Sequence, residues 1–151
     1  MLVHPIPSSG YDSNIFIIPG EKPTVIDTGT GMNKNHVLNQ IAEYVNLSSI
    51  AQIVLTHEHF DHAGGVKQLF EATNEKATII AHAGAAIKIE KGESMFARLL
   101  GGNMPKMHVD HKLSGGETLH IGDKEFEVMS TPGHTPGCIC LYNKETKTLF
   151  S

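Results

Sequence analysis

Within the six residues from His57 to His62 lie three imidazoles, His57, His59 and His62, and one carboxylate placed to bind a metal, Asp61. Zinc takes imidazole and carboxylate ligands and is usually four-coordinate; a catalytic zinc keeps one position open for water. His57 and His59, at i and i+2 on an extended segment, project to one side and can share one ion. Asp61 and His62 lie just past the bend, where they can face the same ion or a second one. Gly64-Gly65 allows close backbone approach where the loop enters the next element. A closed structural zinc site would more often use thiolates, and no cysteine lies near this cluster. One further histidine is well placed. His134 sits in Thr131-Pro132-Gly133-His134-Thr135-Pro136-Gly137, a loop stiffened by proline between two apolar stretches. Together, His57, His59 and His134 would form a three-histidine site with a free fourth position.

Elements must bring these residues together. The cluster follows the apolar run Ile53-Val54-Leu55, and the carboxyl end of a strand is where an α/β protein keeps its site. Ahead of it, Met1–Ile6, Asn14–Ile18 and Thr24–Ile26 read as strands. The last two are joined by so short a link that an antiparallel hairpin is expected. Asp27 to Gly31 forms a Gly-rich loop. A helix capped by Asn33 or Asn35 follows, with Val37, Leu38, Ile41, Ala42 and Val45 on one face. Ile50–Leu55 and Ala77–Ala81 are short continuous apolar strands of the buried kind. Ala63–Ala72, Ala85–Lys91 and Ser94–Leu100 read as helices. The apolar but aperiodic segment 92–107 suits a lid or a wall beside a pocket. Four further strands are expected at Glu117–Ile121, Phe126–Ser130, Cys138–Tyr142 and Thr148–Ser151. Strand and helix alternate through the first half, which argues for a layered α/β domain.

Length and charge bound the partners. The 151 residues suit one domain. A net charge of −4, with Lys and Arg scattered, excludes a nucleic-acid backbone as partner. No apolar run reaches membrane-spanning length, and Met1–Pro5 shows no signal-peptide pattern. A small-molecule substrate fits best, and an oligomer is left open. Cys138 and Cys140 read as small strand residues in a reducing, cytoplasmic setting. His82 is expected near the site rim. His4, His36 and His120 are read as structural or surface residues.

Thr56-His57-Glu58-His59-Phe60-Asp61-His62 resembles the HxHxDH motif of the metallo-β-lactamase superfamily. Thr131–Gly137 is similar to that family's second histidine motif, and Val25-Ile26-Asp27-Thr28-Gly29 to its early Asp motif. Within the family, TPGHTPG after THEHFDHAGG looks most like the glyoxalase II-like branch of thioester hydrolases. The resemblance implies an α+β fold, a four-layer αββα sandwich with the metals at one edge. It implies that His57, His59 and His134 hold a first metal and Asp61 and His62 a second. Zinc is the expected ion, one or two per chain, with iron or manganese as substitutes. Asp27 would be the carboxylate behind the ligands that orients the His loop; a turn-forming role before Thr28-Gly29 is the other reading of its position. Hydrolysis would proceed by attack of a metal-activated hydroxide on a carbonyl, with Asp61 as the catalytic residue that orients the water or accepts its proton. The family's bridging Asp and last His would fall beyond Ser151. The chain is therefore expected to be a single domain over 1–151, an N-terminal fragment truncated before the bridging-Asp segment. Two alternatives accompany this reading: a mononuclear iron persulfide dioxygenase, and a non-catalytic metal-binding fragment.

Overall fold

The computed structural model describes residues 2–151. The first sheet runs β1 (His4–Ile6), β2 (Ile15–Ile18), β3 (Thr24–Ile26), β4 (Gln52–Leu55), β5 (Thr78–His82) and β6 (His111–Leu113), side by side in chain order. β1–β2 and β2–β3 pair antiparallel, as the short link between the last two requires. The remaining pairs are parallel, and their crossovers contain the helices that parallel pairing needs. These are α1 (Lys34–Ala42), α2 (Phe60–Ala63), α3 (Val66–Ala72), α4 (Ala83–Lys91) and α5 (Met95–Leu99). A second, antiparallel sheet follows in the order β10 (Thr148–Phe150), β9 (Ile139–Asn143), β8 (Lys124–Ser130) and β7 (Thr118–Ile121).

Two cores hold the layers. β4 is buried along its whole length because both its faces are covered. Ile53 and Leu55 point to the helices, beside Ile41, Val66, Leu69 and Ile89. Val54, between them, points the other way, to Ile121, Phe126, Val128 and Leu141 of the second sheet. This is the period-two alternation of a strand. All buried residues of the five helices belong to the first core. The described residues thus supply an α layer and two β layers of the expected sandwich.

Polar ties fix the sheets to each other. Buried Gln52 donates from Nε2 to Thr24 Oγ1 at 2.8 Å and to the His120 carbonyl at 2.8 Å. Lys22 and Gly122 exchange two backbone hydrogen bonds of 3.0 and 2.9 Å.

Two local outcomes differ from the expected elements. The helix expected over 63–72 is broken in two: Phe60–Ala63 forms its own turn, and Gly64 and Gly65 separate it from α3. The break has a steric cause. Gly65 N–H donates to the Gly29 carbonyl at 2.9 Å, and a Cβ at Gly65 would lie 2.3 Å from the Thr28 carbonyl oxygen. At Gly64 it would lie 2.5 Å from the carbonyl oxygens of Phe60 and Thr30. The histidine loop after β4 is pressed against the loop after β3, and only glycine lets two backbones meet so closely. The other difference is β6, a fifth strand in the second half. It carries one buried residue, Leu113, too little apolar pattern to mark a strand in advance.

Gly65→Ala is expected to lower unfolding free energy by about 1–3 kcal/mol, the usual range for overpacking. Gly133→Ala, where an added Cβ meets nothing within 4 Å, should stay within about 0.5 kcal/mol of the parent. Urea denaturation of both variants checks the contrast.

Candidate metal centre

The loop after β4 begins with Thr56, whose carbonyl accepts from Ile139 N–H of β9 at 3.0 Å. That bond brings the second histidine loop against the first. His57, His59 and His134 each turn one ring nitrogen to a common point, and those nitrogens all lie within 4.8 Å of one another. Ring centroids are 4.9 Å apart for His57–His59, 5.0 Å for His57–His134 and 4.5 Å for His59–His134. Tetrahedral zinc with ligands at 2.0–2.1 Å separates its donors by about 3.4 Å, so small ring rotations close this set onto one ion.

The proton positions follow from the partners. Asp27 Oδ1 accepts from Thr56 N–H at 2.8 Å, and its Oδ2 accepts from Thr56 Oγ1 at 2.8 Å. Thr56 Oγ1 has then spent its proton, so at 3.1 Å it accepts from His57 Nδ1–H. The lone pair of His57 is left on Nε2. That atom is buried and has no hydrogen-bond partner among the described residues. An orphaned acceptor inside a ring of imidazoles is what a metal would satisfy, and the donor set fits a divalent ion. Asp27 Oδ2 also accepts from His62 Nδ1–H at 2.7 Å, which leaves His62 Nε2 as a free donor atom, 3.5 Å from Asp61 Oδ2. Asp61 and His62 therefore stand together as a second candidate pair. They line a recess of about 380 Å³ with Asp27 and Ser151. Asp27 itself is buried, and its carboxylate reaches across to Thr56 and His62 in the loop after β4.

Electrostatics agree with this assignment. Burial, together with His62 nearby, pushes His57 down to about 4, against a partial upward pull from Asp27. Burial and the charge of His134 lower His59. Burial also pulls His62 down, but the hydrogen bond and charge of Asp27, with Asp61, outweigh it and hold His62 above its ordinary value. Two of the three clustered imidazoles are thus kept neutral, the form that binds metal.

One residue in the motif escaped the sequence reading. Glu58 lies between two candidate ligands but turns away from them. Its Oε1 meets Lys88 Nζ of α4 at 3.1 Å, and its Oε2 accepts from Thr135 Oγ1 at 2.9 Å. Burial raises this carboxyl, yet its own backbone N–H, Lys88 and Thr135 together hold it below the ordinary value. A charged residue alternating with ligands on an extended segment points to the opposite side; that was the available signal.

The other candidates resolve as follows. His82 caps α4, accepting at Nδ1 from Gly84 N–H at 3.0 Å. His4 stacks on Tyr44 with centroids 4.0 Å apart. His108 is exposed and pairs with Glu90 at 3.2 Å. Segment 92–107 packs over Phe60, where a Cβ at Gly102 would meet the ring at 2.5 Å. Its Asn103, Pro105 and Lys106 wall a cavity of about 670 Å³ with Phe60 and Gln68, separate from the cavity of about 350 Å³ that holds His57, His62 and His134. Cys138 and Cys140 do line that cavity, as free thiols.

The family model described as the metallo-beta-lactamase superfamily matches residues 9–151. "Probable metallo-hydrolase YqgX" of Bacillus subtilis (strain 168) is 31% identical over 159 residues, covering 100% of this chain and 67% of that protein. Acyl-coenzyme A thioesterase MBLAC2 of Homo sapiens is 30% identical over 168 residues, covering 95% of this chain. The chain spans 58% of that thioesterase's own length. Among solved structures, BLEG-1 B3 metallo-beta-lactamase superposes with a TM-score of 0.81 at 26% identity, covering 99% of this chain and 71% of that one.

Acid should destabilise the metal-free protein through His57. Its folded-state pKa of about 4 lies below the ordinary imidazole value of 6.5, so as pH falls through that window the unfolded chain takes up the proton first and stability is lost. His62, with its pKa raised, acts oppositely: its contribution is full below 6.5 and disappears as pH rises through its folded value. His57→Gln is therefore expected to flatten the acid side. The midpoint of the metal-free variant should drop less between pH 7 and pH 5 than that of the parent, as followed by thermal melts. Asp27→Asn, which tolerates the same backbone, should lower the His62 titration in an NMR pH series.

Proposed function

The chain belongs to the metallo-beta-lactamase superfamily, and from that membership we propose that it is a zinc-dependent hydrolase of thioesters or related acyl esters, glyoxalase II-like in its chemistry. The observation that carries this reading is the trio of His57, His59 and His134, with the bare Nε2 of His57 buried among them. The thioesterase named above, matched at 30% identity, supports the thioester class. The free cysteines support a reducing, cytoplasmic setting. We read residues 1–151 as one domain of this family.

His57, His59 and His134 would hold the first ion, and Asp61 with His62 would contribute to a second. When bound, zinc lowers the pKa of a coordinated water to about 7 and acts as a Lewis acid on a carbonyl. The chain's own residues do the rest. Asp27 fixes the tautomers of His62 directly and of His57 through Thr56, so both present Nε2 to the cavity. Asp61, partly exposed beside His62, is placed to orient a water or take its proton. A thiolate leaving group needs little acid help, which suits a thioester substrate.

Protein purified without added metal, analysed for its ions and then assayed on acyl-coenzyme A and on S-acylglutathione, tests the reading. Zinc-loaded protein should turn over at least one of these thioesters. His57→Ala and His134→Ala should each lower kcat/KM by more than about 100-fold, beyond the usual loss for a supporting residue. One bound iron, with oxygen consumed on a glutathione persulfide, would replace the hydrolase by a dioxygenase.

A further inference from the structure

We propose that Glu58 is a positioning residue for the metal centre, acting on His134 through Thr135. The inference rests on the reading of His57, His59 and His134 as ligands. His134 comes from a loop more than 70 positions away and is exposed, so its own surroundings do little to hold it. Its neighbour Thr135 is buried and does the holding. Thr135 Oγ1 donates to Glu58 Oε2 at 2.9 Å. Having given its proton there, the same oxygen accepts from Gly137 N–H at 3.2 Å and is free to accept from the Cys138 thiol at 3.2 Å. The Thr135 carbonyl accepts from Gly133 N–H at 3.2 Å. One residue thus gathers the Gly133–Cys138 turn, with its carbonyl on the Gly133 side and its hydroxyl on the Gly137 side, and the hydroxyl ties the turn to the residue between His57 and His59.

Glu58 is fixed in turn. It is 3% exposed, and its second oxygen meets Lys88 Nζ at 3.1 Å. Lys88 lies on α4, whose first turn touches the same loop: a Cβ at Gly137 would sit 2.4 Å from Ala85 N. A carboxylate this buried is expensive unless fully partnered, and its partners here are the helix on one side and the histidine loop on the other. Neither Lys88 nor Thr135 lines the cavity that holds His57 and His134. The arrangement is that of a support that sets where a ligand stands and takes no part in the chemistry.

Cobalt(II) titration of the metal-free full chain tests this, with affinity and the visible d–d absorption as readouts and the metal-free thermal midpoint measured alongside. Glu58→Ala should weaken cobalt binding by about 10–100-fold and alter the band shape. Glu58→Gln, which still accepts from Thr135, should recover most of the affinity. Thr135→Val should behave as Glu58→Ala, and Thr135→Ser as the parent. Affinity and band unchanged in both Glu58→Ala and Thr135→Val, while His134→Ala binds weakly, would overturn the inference and leave the site standing. If Glu58→Ala does not fold, an unchanged Thr135→Val alone overturns it. A His134→Ala variant that binds as tightly as the parent would remove the site reading and this inference with it.

Discussion

The Asp27 carboxylate is the joint on which the rest of the site depends. It leaves the end of β3 in a left-handed conformation, φ 60°, which costs a residue with a Cβ about 1 kcal/mol and which Asp tolerates better than most. That turn drives a buried carboxylate across to the end of the neighbouring parallel strand. There it meets the Thr56 backbone, the Thr56 hydroxyl and His62 within 2.8 Å. β3 and β4 lie side by side with Ile26 opposite Val54, so the register of the sheet sets the reach of the carboxylate. Thr28 adds a second tie, its N–H and hydroxyl both donating to the His62 carbonyl. The glycine pair after the ligands is a consequence, because a loop held this close to another backbone has no room for a Cβ.

Much of this was legible in the sequence, for identifiable reasons. β4 announced itself through continuous apolar residues, since a strand covered on both faces needs them. The histidine spacing marked a shared ligand face, since alternation on an extended chain is fixed by geometry. His134 stood out through the stiffness of its loop. What the sequence left open was long-range and polar. The choice for Asp27 between a turn and a link depends on which strand lies beside it, and that is a property of the sheet. Glu58 offered no local sign that its partners are Lys88 and Thr135, 30 and 77 positions away. Segment 92–107 looked like a pocket wall on composition, and Asn103, Pro105 and Lys106 do line a cavity with Phe60 and Gln68; which cavity it would wall depended on its close packing over Phe60 at Gly102. β6 is held as much by Asp110 as by its own residues: Ile79 N–H donates to the Asp110 carboxylate at 2.8 Å, and Asp110 N–H to the Ile79 carbonyl at 2.9 Å. No apolar period encodes that exchange.

The candidate ligands come from both sheets, which makes the site a reporter on the inter-sheet core. His57, His59, Asp61 and His62 follow β4 of the first sheet. His134 lies between β8 and β9 of the second. Their relative placement is set by the apolar layer between the sheets, Val54 and Ile80 against Phe126, Val128 and Leu141, and by the bond from Ile139 to Thr56 at the edge. A shift of one sheet on the other would carry His134 away from its partners while leaving each loop intact. The polar ties of Gln52, and of Lys22 with Gly122, resist that motion from the opposite side of the metal loop along the strands.

The same arrangement links metal binding to folding. Burial and the neighbouring imidazoles hold His57 and His59 below their ordinary values. Without an ion, the cluster keeps a buried nitrogen of His57 unsatisfied. A cation there satisfies that lone pair and needs neutral rings, which burial already favours at His57 and His59. The unfolded chain has no preformed set of this kind, since its members lie up to 77 positions apart in sequence. Binding free energy at this edge therefore adds to the stability of the two-sheet packing, and the hydrogen bonds of Asp27 and Glu58 determine how much of it is realised. They hold the two loops in place before an ion arrives, so that binding orders less of the chain.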